Sequence, residues 1–162
     1  MNLGYRKIRK ISRPKAEIVN LDTADSNVDI RNLNEFDDEE FDEVYAFYVL
    51  EHLEFEAFFL LMDEIHRILG PNGIFSIKVP HWRGTSAFIC PEHRRCFSAY
   101  TFNYFAKFTV IERKFRIVKS GKLNFLNVFN FLYNIHPVIT EKFLSNILAP
   151  EEIIFKLRKA KR

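Results

Sequence analysis

No apolar run in this 162-residue chain approaches the roughly 20 residues that a membrane-spanning helix needs, because Asn, Lys or Glu interrupts each candidate. The basic N-terminal stretch is not followed by an apolar segment of the secretory kind, so the sequence points to a protein kept in the cytoplasm. Internal repeats and low-complexity segments are missing as well. Cysteine is scarce: Cys90 and Cys96 flank His93 with two residues on either side, so two thiolates and an imidazole could in principle meet one metal ion. Cys-x-x-His-x-x-Cys is not a usual zinc spacing, however, and a fourth ligand would have to be His81 or water. The expectation is no metal site and, in a reducing compartment, no disulfide. A full Gly-x-Gly-x-x-Gly turn after the first strand is also lacking, which argues against a nucleotide-dependent oxidoreductase.

What is present suits one compact domain over residues 1–162, since 48% of the chain is apolar and 28% charged. Arg6, Lys7, Arg9, Lys10, Arg13 and Lys15 open it, Lys156, Arg158, Lys159, Lys161 and Arg162 close it, and the centre is acidic. Basic ends can neutralise phosphates or anionic headgroups, but no nucleic-acid motif accompanies them, so a nucleic-acid partner is not expected. Eighteen phenylalanines must either fill the core or form a contact surface, which leaves peripheral membrane contact open.

Glu17–Asp22 and Val28–Leu33 read as strands, as do Phe41–Tyr48 and Gly73–Pro80, the last closed by its proline. Between the last two, Phe58, Leu61, Ile65 and Ile68 recur at helical spacing, predicting an amphipathic helix over Glu54–Leu69. Gly70-Pro71-Asn72-Gly73 should end that helix and turn the chain. Ser98 should cap a helix running to about Lys107, and Phe108–Val118 reads as a strand. In 123–148, apolar Phe125, Val128, Phe129, Leu132 and Ile135 interleave with Asn124, Asn127, Asn130 and Asn134, predicting a helical insertion that Pro137 breaks. Ile153–Leu157 is a last strand. This order predicts an α/β, Rossmann-like fold with a mostly parallel sheet, flanking helices and an antiparallel C-terminal strand.

In such sheets ligands sit beyond the carboxyl ends of the strands. Phe41–Leu53 is therefore the stretch of most interest, because an apolar strand breaks there into a helix entry carrying Glu51 and His52. Its wording resembles the class I S-adenosylmethionine-dependent methyltransferases. Met1–Lys7 looks like the family's first strand and glycine turn, and Val19–Asp22 like its second strand with a terminal acid. Arg67–Gly73 is similar to the turn before its fifth strand. Val79-Pro80-His81 with Pro91–Ser98 resembles a branch of small enzymes grouped with the type 11 methyltransferases.

The resemblance implies a methyltransferase that uses S-adenosylmethionine on a small-molecule or saccharide acceptor. It implies a cofactor site of Gly4, Asp22, Asn32, Leu33, Ala46 and Phe47. Asp22 would hold the ribose hydroxyls, Asn32 and Leu33 the adenine, and Ala46 and Phe47 the cleft floor. Tyr48, Arg94 and Arg95 would meet the acceptor, and His52, His81 and His93 would orient it or take its proton. Bland alternatives stand beside each: a turn role for Asp22 and Asn32, a core role for Phe47, a structural role for His52, and ion pairing with the acidic centre for Arg94 and Arg95. The family's second turn glycine is replaced here by Arg6, whose side chain costs close approach to the cofactor. A non-catalytic relative that docks through its Phe-rich insertion is the competing reading.

Overall fold

A computed structural model of the chain describes residues 33–34, 36–117 and 126–160. The turn expected at Met1–Lys7 and the strand expected at Glu17–Asp22 lie outside these residues. Of Val28–Leu33 only Leu33 is described, and it belongs to no strand.

The first described strand, β1 (Phe41–Phe47), buries Phe41, Val44 and Ala46 and leads through a tight turn at Leu50–His52 into helix α1 (Phe55–Ile68). This helix buries Ala57, Phe58, Leu61, Met62, Ile65 and Ile68, the stripe expected from three- and four-residue spacing. At about 1.5–3 kcal/mol per fully buried large side chain, that stripe dominates the attachment of α1. Glu56 in the first turn and His66 and Arg67 in the last complement the helix dipole.

Strand β2 (Leu69–Pro80) follows without the expected turn. Phe41 pairs with Leu69 and Glu43 with Ile74, so Gly70–Gly73 form a bulge inside the strand rather than a connection before it. Asn72 takes a positive φ of 61°, the conformation that Asn tolerates better than most residues. The prediction mistook a bulge for a turn because both need the same residue types.

β1 and β2 pair in parallel, as a strand–helix–strand unit should. A short helix, α2 (Ser86–Ile89), precedes strand β3 (Phe108–Arg116). Helices α3 (Leu126–Ile135) and α4 (Pro137–Phe143) then lead to strand β4 (Glu152–Lys159). The sheet order is β1-β2-β4-β3, and β4 runs antiparallel to both neighbours, so the C-terminal strand is the reversed one, as predicted. The helix predicted from Ser98 to Lys107 is instead one 3-10 turn, Thr101–Tyr104. Ser98 Oγ accepts the Tyr100 amide at 3.2 Å, and the Thr101 hydroxyl accepts the Ser98 amide at 2.9 Å; this local pairing ties up the donors around the expected cap.

Phenylalanine serves both purposes anticipated for it. Phe58, Phe75, Phe97, Phe102 and Phe155 are buried, with Phe102 edge-on to Phe155 at 4.8 Å, whereas Phe88, Phe131 and Phe143 are exposed. Pro137 occupies the start of α4 rather than only ending α3, where its missing N–H costs nothing. The interleaved asparagines also acquire a reason: Asn134 accepts the Phe115 amide at 2.7 Å and donates to its carbonyl at 2.8 Å, while Asn130 accepts the Ile117 amide at 2.8 Å. Side-chain amides thus stand in for a further strand along the outer edge of β3.

Candidate active site at the end of β1

Beyond Phe47 the chain turns sharply. Tyr48 takes φ 58°, a left-handed conformation that costs a non-glycine residue roughly 1–2 kcal/mol. Two bonds hold it: its amide donates to the Lys78 carbonyl at 2.8 Å, and its hydroxyl donates to Glu152. Glu152 is fully buried, with Lys78 Nζ at 3.1 Å and Arg116 at 3.7 Å from its Oε2, so its charge is compensated. Lys78 Nζ also lies 4.8 Å from the centre of the Tyr48 ring. Burial first, and then the Glu152 carboxylate, push the Tyr48 phenol far above its ordinary value, so it acts as a fixed donor. Glu51, in the turn that follows, is 1% exposed.

Residues 81–97 pack against this end of the sheet. His81 is completely buried. Its Nδ1 accepts the Arg83 amide at 3.3 Å, which places the ring proton on Nε2, 3.0 Å from Glu141. Trp82 Nε1 and the Ala99 amide also donate to Glu141, each at 2.9 Å. Burial alone would raise the Glu141 carboxyl, but the His81, Trp82 and Ala99 bonds outweigh it and leave the pKa lowered. With both ring nitrogens occupied, His81 docks α4 to the end of β2 and offers no lone pair to a substrate.

Arg94 and Arg95 are tethers in this arrangement. The Arg94 amide donates to the Glu51 carbonyl at 2.7 Å and its side chain pairs with Glu54 at 3.1 Å. Arg95 donates twice to the Leu53 carbonyl at 3.2 Å and lies 4.2 Å over the Phe58 ring; burial lowers its pKa, partly opposed by Glu54. This is the acid-pairing alternative, realised for Arg94. The other two histidines do meet: the rings of His52 and His93 sit edge-on with centroids 4.7 Å apart, and His52 Nδ1 is 4.0 Å from Glu92. His93 Nδ1 donates to the Ala87 carbonyl at 2.9 Å, which leaves the lone pair on Nε2.

Of the residues expected around a cofactor, Gly4, Asp22 and Asn32 lie outside the described residues. Leu33 and Ala46 are fully buried in the core, whereas Phe47 and Tyr48 are half-buried at the strand end. Glu152, Lys78 and Glu141 were not anticipated. A signal existed for two of them: Lys78 interrupts the apolar Phe75–Val79 and Glu152 opens a strand of Ile and Phe, both unusual for interior strands.

A family model described as a methyltransferase domain matches residues 7–77. No curated protein matches the sequence. Among solved structures, an S-adenosylmethionine-dependent methyltransferase from Archaeoglobus fulgidus superposes with a TM-score of 0.59 at 18% identity, over 83% of this chain and 66% of that one. The [4+2]-cyclase SpnF gives 0.55 at 18% identity, over 85% and 56%. An S-adenosylmethionine-dependent methyltransferase from Mesorhizobium loti gives 0.51 at 14%, over 82% and 68%. The chain thus spans 66% and 56% of the first two relatives' length. A cyclase among them shows that one architecture hosts more than one reaction. Residues 7–77 thus match a methyltransferase-domain model, and the fold of the chain is similar to that of S-adenosylmethionine-dependent methyltransferases.

Proposed function

We propose that residues 1–162 form one methyltransferase domain, with 123–148 inserted, which binds S-adenosylmethionine beyond the strand ends and methylates a hydroxyl or amine of a small molecule or saccharide. The observation that carries this reading is the end of β1, where half-buried Phe47 and Tyr48 lead directly into the turn that carries the buried acid Glu51. Aromatic faces and an acid suit a group that is both flat and cationic. When bound, this cofactor supplies a methyl carbon on a sulfonium, whose carbon–sulfur bonding pair leaves with the sulfur.

Gly4, Asp22, Asn32 and Leu33 would hold the adenosyl part with Ala46 and Phe47, as the family resemblance implies. Tyr48, pinned by Glu152, offers its ring rather than a base. The Nε2 lone pair of His93 is the proposed acceptor for the proton that the nucleophile loses, with His52 orienting the ring beside it. Because the leaving group is good, placing the nucleophile in line supplies much of the acceleration. Arg94 and Arg95 serve the acceptor indirectly, by holding their loop against Glu51, Leu53 and Glu54.

The competing reading, a non-catalytic module that docks on a protein or membrane surface, draws support from exposed Phe131, Ile135, Ile139, Phe143 and Ile147. Among the described residues no helix is long and apolar enough to cross a membrane. Calorimetry with S-adenosylmethionine and its demethylated product separates the two readings. Binding that Asp22→Ala abolishes supports the enzyme; folded protein that gives no heat with either compound supports the docking module. Arg6→Gly should strengthen binding by relieving the glycine turn.

A further inference from the structure

We propose that His52, Cys90 and His93 form a binding site for a borderline-soft divalent transition-metal cation, with zinc as the best fit, that clips residues 82–97 to the turn at the end of β1. The ligand atoms of these three half-buried residues all lie within 4.8 Å of one another, although they come from two separate segments. The backbone sets them there. The His93 amide donates to the Cys90 carbonyl at 3.2 Å, folding the two loop ligands into one turn, and the Arg94 amide bond to Glu51 at 2.7 Å brings that turn to His52. The bond from His93 Nδ1 to the Ala87 carbonyl fixes the ring's tautomer and leaves Nε2 as the ligating nitrogen, as a partner behind a ligating histidine does.

The donor set determines the class of ion. Two imidazoles and a thiol favour zinc and its neighbours over magnesium or calcium, which seek oxygen. In a tetrahedral site, bond lengths of about 2.0–2.3 Å place ligand atoms roughly 3.3–3.8 Å apart, so the three donors need to close by about 1 Å. Side-chain rotation of half-buried groups supplies that movement. A fourth position falls to water or to the exposed Glu92, whose carboxylate is 4.0 Å from His52 Nδ1. On binding, the Cys90 thiol releases its proton to solvent as its sulfur joins the metal. The spacing of Cys90, His93 and Cys96 argued against a metal site; Cys96 is indeed exposed and outside the cluster, and the third donor is His52, which no local spacing signals. The cation and a substrate proton would compete for the same His93 lone pair, so a loaded site would silence the proposed base; this consequence alone rests on the function proposed above.

The test titrates the purified full chain, without S-adenosylmethionine, with cobalt(II) and then zinc(II). Expected are one equivalent bound, a thiolate-to-cobalt charge-transfer band and visible bands of tetrahedral intensity, all displaced by zinc. Cys90→Ser should remove the charge-transfer band, and it and His93→Ala should each weaken binding at least tenfold, while Cys96→Ser leaves the spectrum unchanged. No thiolate band, or a band lost with Cys96→Ser and kept with Cys90→Ser, overturns the proposal. Circular dichroism of each metal-free variant certifies its fold. Isothermal titration of zinc into the wild-type chain gives a second readout, and absence of a one-to-one binding isotherm also counts against the site. Since no cofactor is present, these outcomes stand whether or not the chain transfers methyl groups.

Discussion

The Tyr48 hydroxyl donates to the Glu152 carboxylate and so joins the end of β1 to the start of β4 across the intervening strand β2. Lys78 of β2 lies between them, close to both the Tyr48 ring and Glu152 Oε2. One buried acid therefore secures three strands where the proposed site opens. Tyr48→Phe removes the donor and leaves Glu152 with less compensation. It should cost about 1–3 kcal/mol, read as a lower urea midpoint. The wild type should also show a pH signature. Because the folded phenol sits above its unfolded value of about 10, this contribution is whole below about pH 10 and declines as the solution becomes more alkaline. In Tyr48→Phe that part of the alkaline decline should disappear, and an unchanged profile would remove Tyr48 as its source.

Acid should act elsewhere, on α4. Glu141 gathers His81, Trp82 and the Ala99 amide, and its folded pKa is lowered. A depressed carboxyl contributes stability above its unfolded value, about 4.3, and loses it as pH falls through the lower folded value. Glu141→Gln keeps the shape but not the charge, and it should cost about 2–3 kcal/mol at neutral pH while flattening the decline below about pH 4. Chemical denaturation from pH 3 to 7 measures both; a mutant that retains the wild-type acid slope would exonerate Glu141.

How much of this was readable beforehand follows from the range of the interactions. Phe41–Tyr48, Glu54–Leu69 and Ile153–Leu157 were legible because each buries one face whose period appears within a single element. Gly70–Gly73 and Ser98–Lys107 were misread because bulges, 3-10 turns and helix starts draw on the same small and polar residues. The site was less legible still. His81 and His93 look alike in the sequence, yet one has both ring nitrogens occupied and the other keeps a lone pair, a difference made by Glu141 and Ala87. The meeting of His52 with Cys90 depends on folding a long loop back onto β1, which local spacing does not encode.

The asparagines of α3 make a separate test of edge protection. Asn134 completes both backbone hydrogen bonds of Phe115. Asn134→Leu preserves helix propensity but strips both bonds, so it should cost about 1–3 kcal/mol and expose a strand edge open to self-association. Light scattering together with a denaturation midpoint measures the two effects. If the variant stays monodisperse at the wild-type midpoint, the Asn134 pairing carries no protective load.

Arg67 links the described end of the N-terminal segment to α1. Its Nη2 donates to the Leu33 carbonyl at 2.9 Å, and its Nη1 to the Phe36 carbonyl and to Asp38, each at 2.8 Å. Glu64 accepts from both Nε and Nη2, at 3.1 and 2.9 Å. The Glu64 and Asp38 bonds raise its already high pKa, so charge is never the variable here; geometry is. Lysine offers a point charge in place of this fork and cannot serve the two carbonyls together. If Leu33 borders the adenine as proposed, Arg67→Lys should weaken S-adenosylmethionine binding about tenfold while costing about 1–2 kcal/mol of stability. Calorimetry reads the first and urea denaturation the second. Unchanged affinity alongside the expected stability loss would mean that Leu33 and Phe36 lie away from the cofactor, and the adenine assignment of Leu33 would then have to be given up.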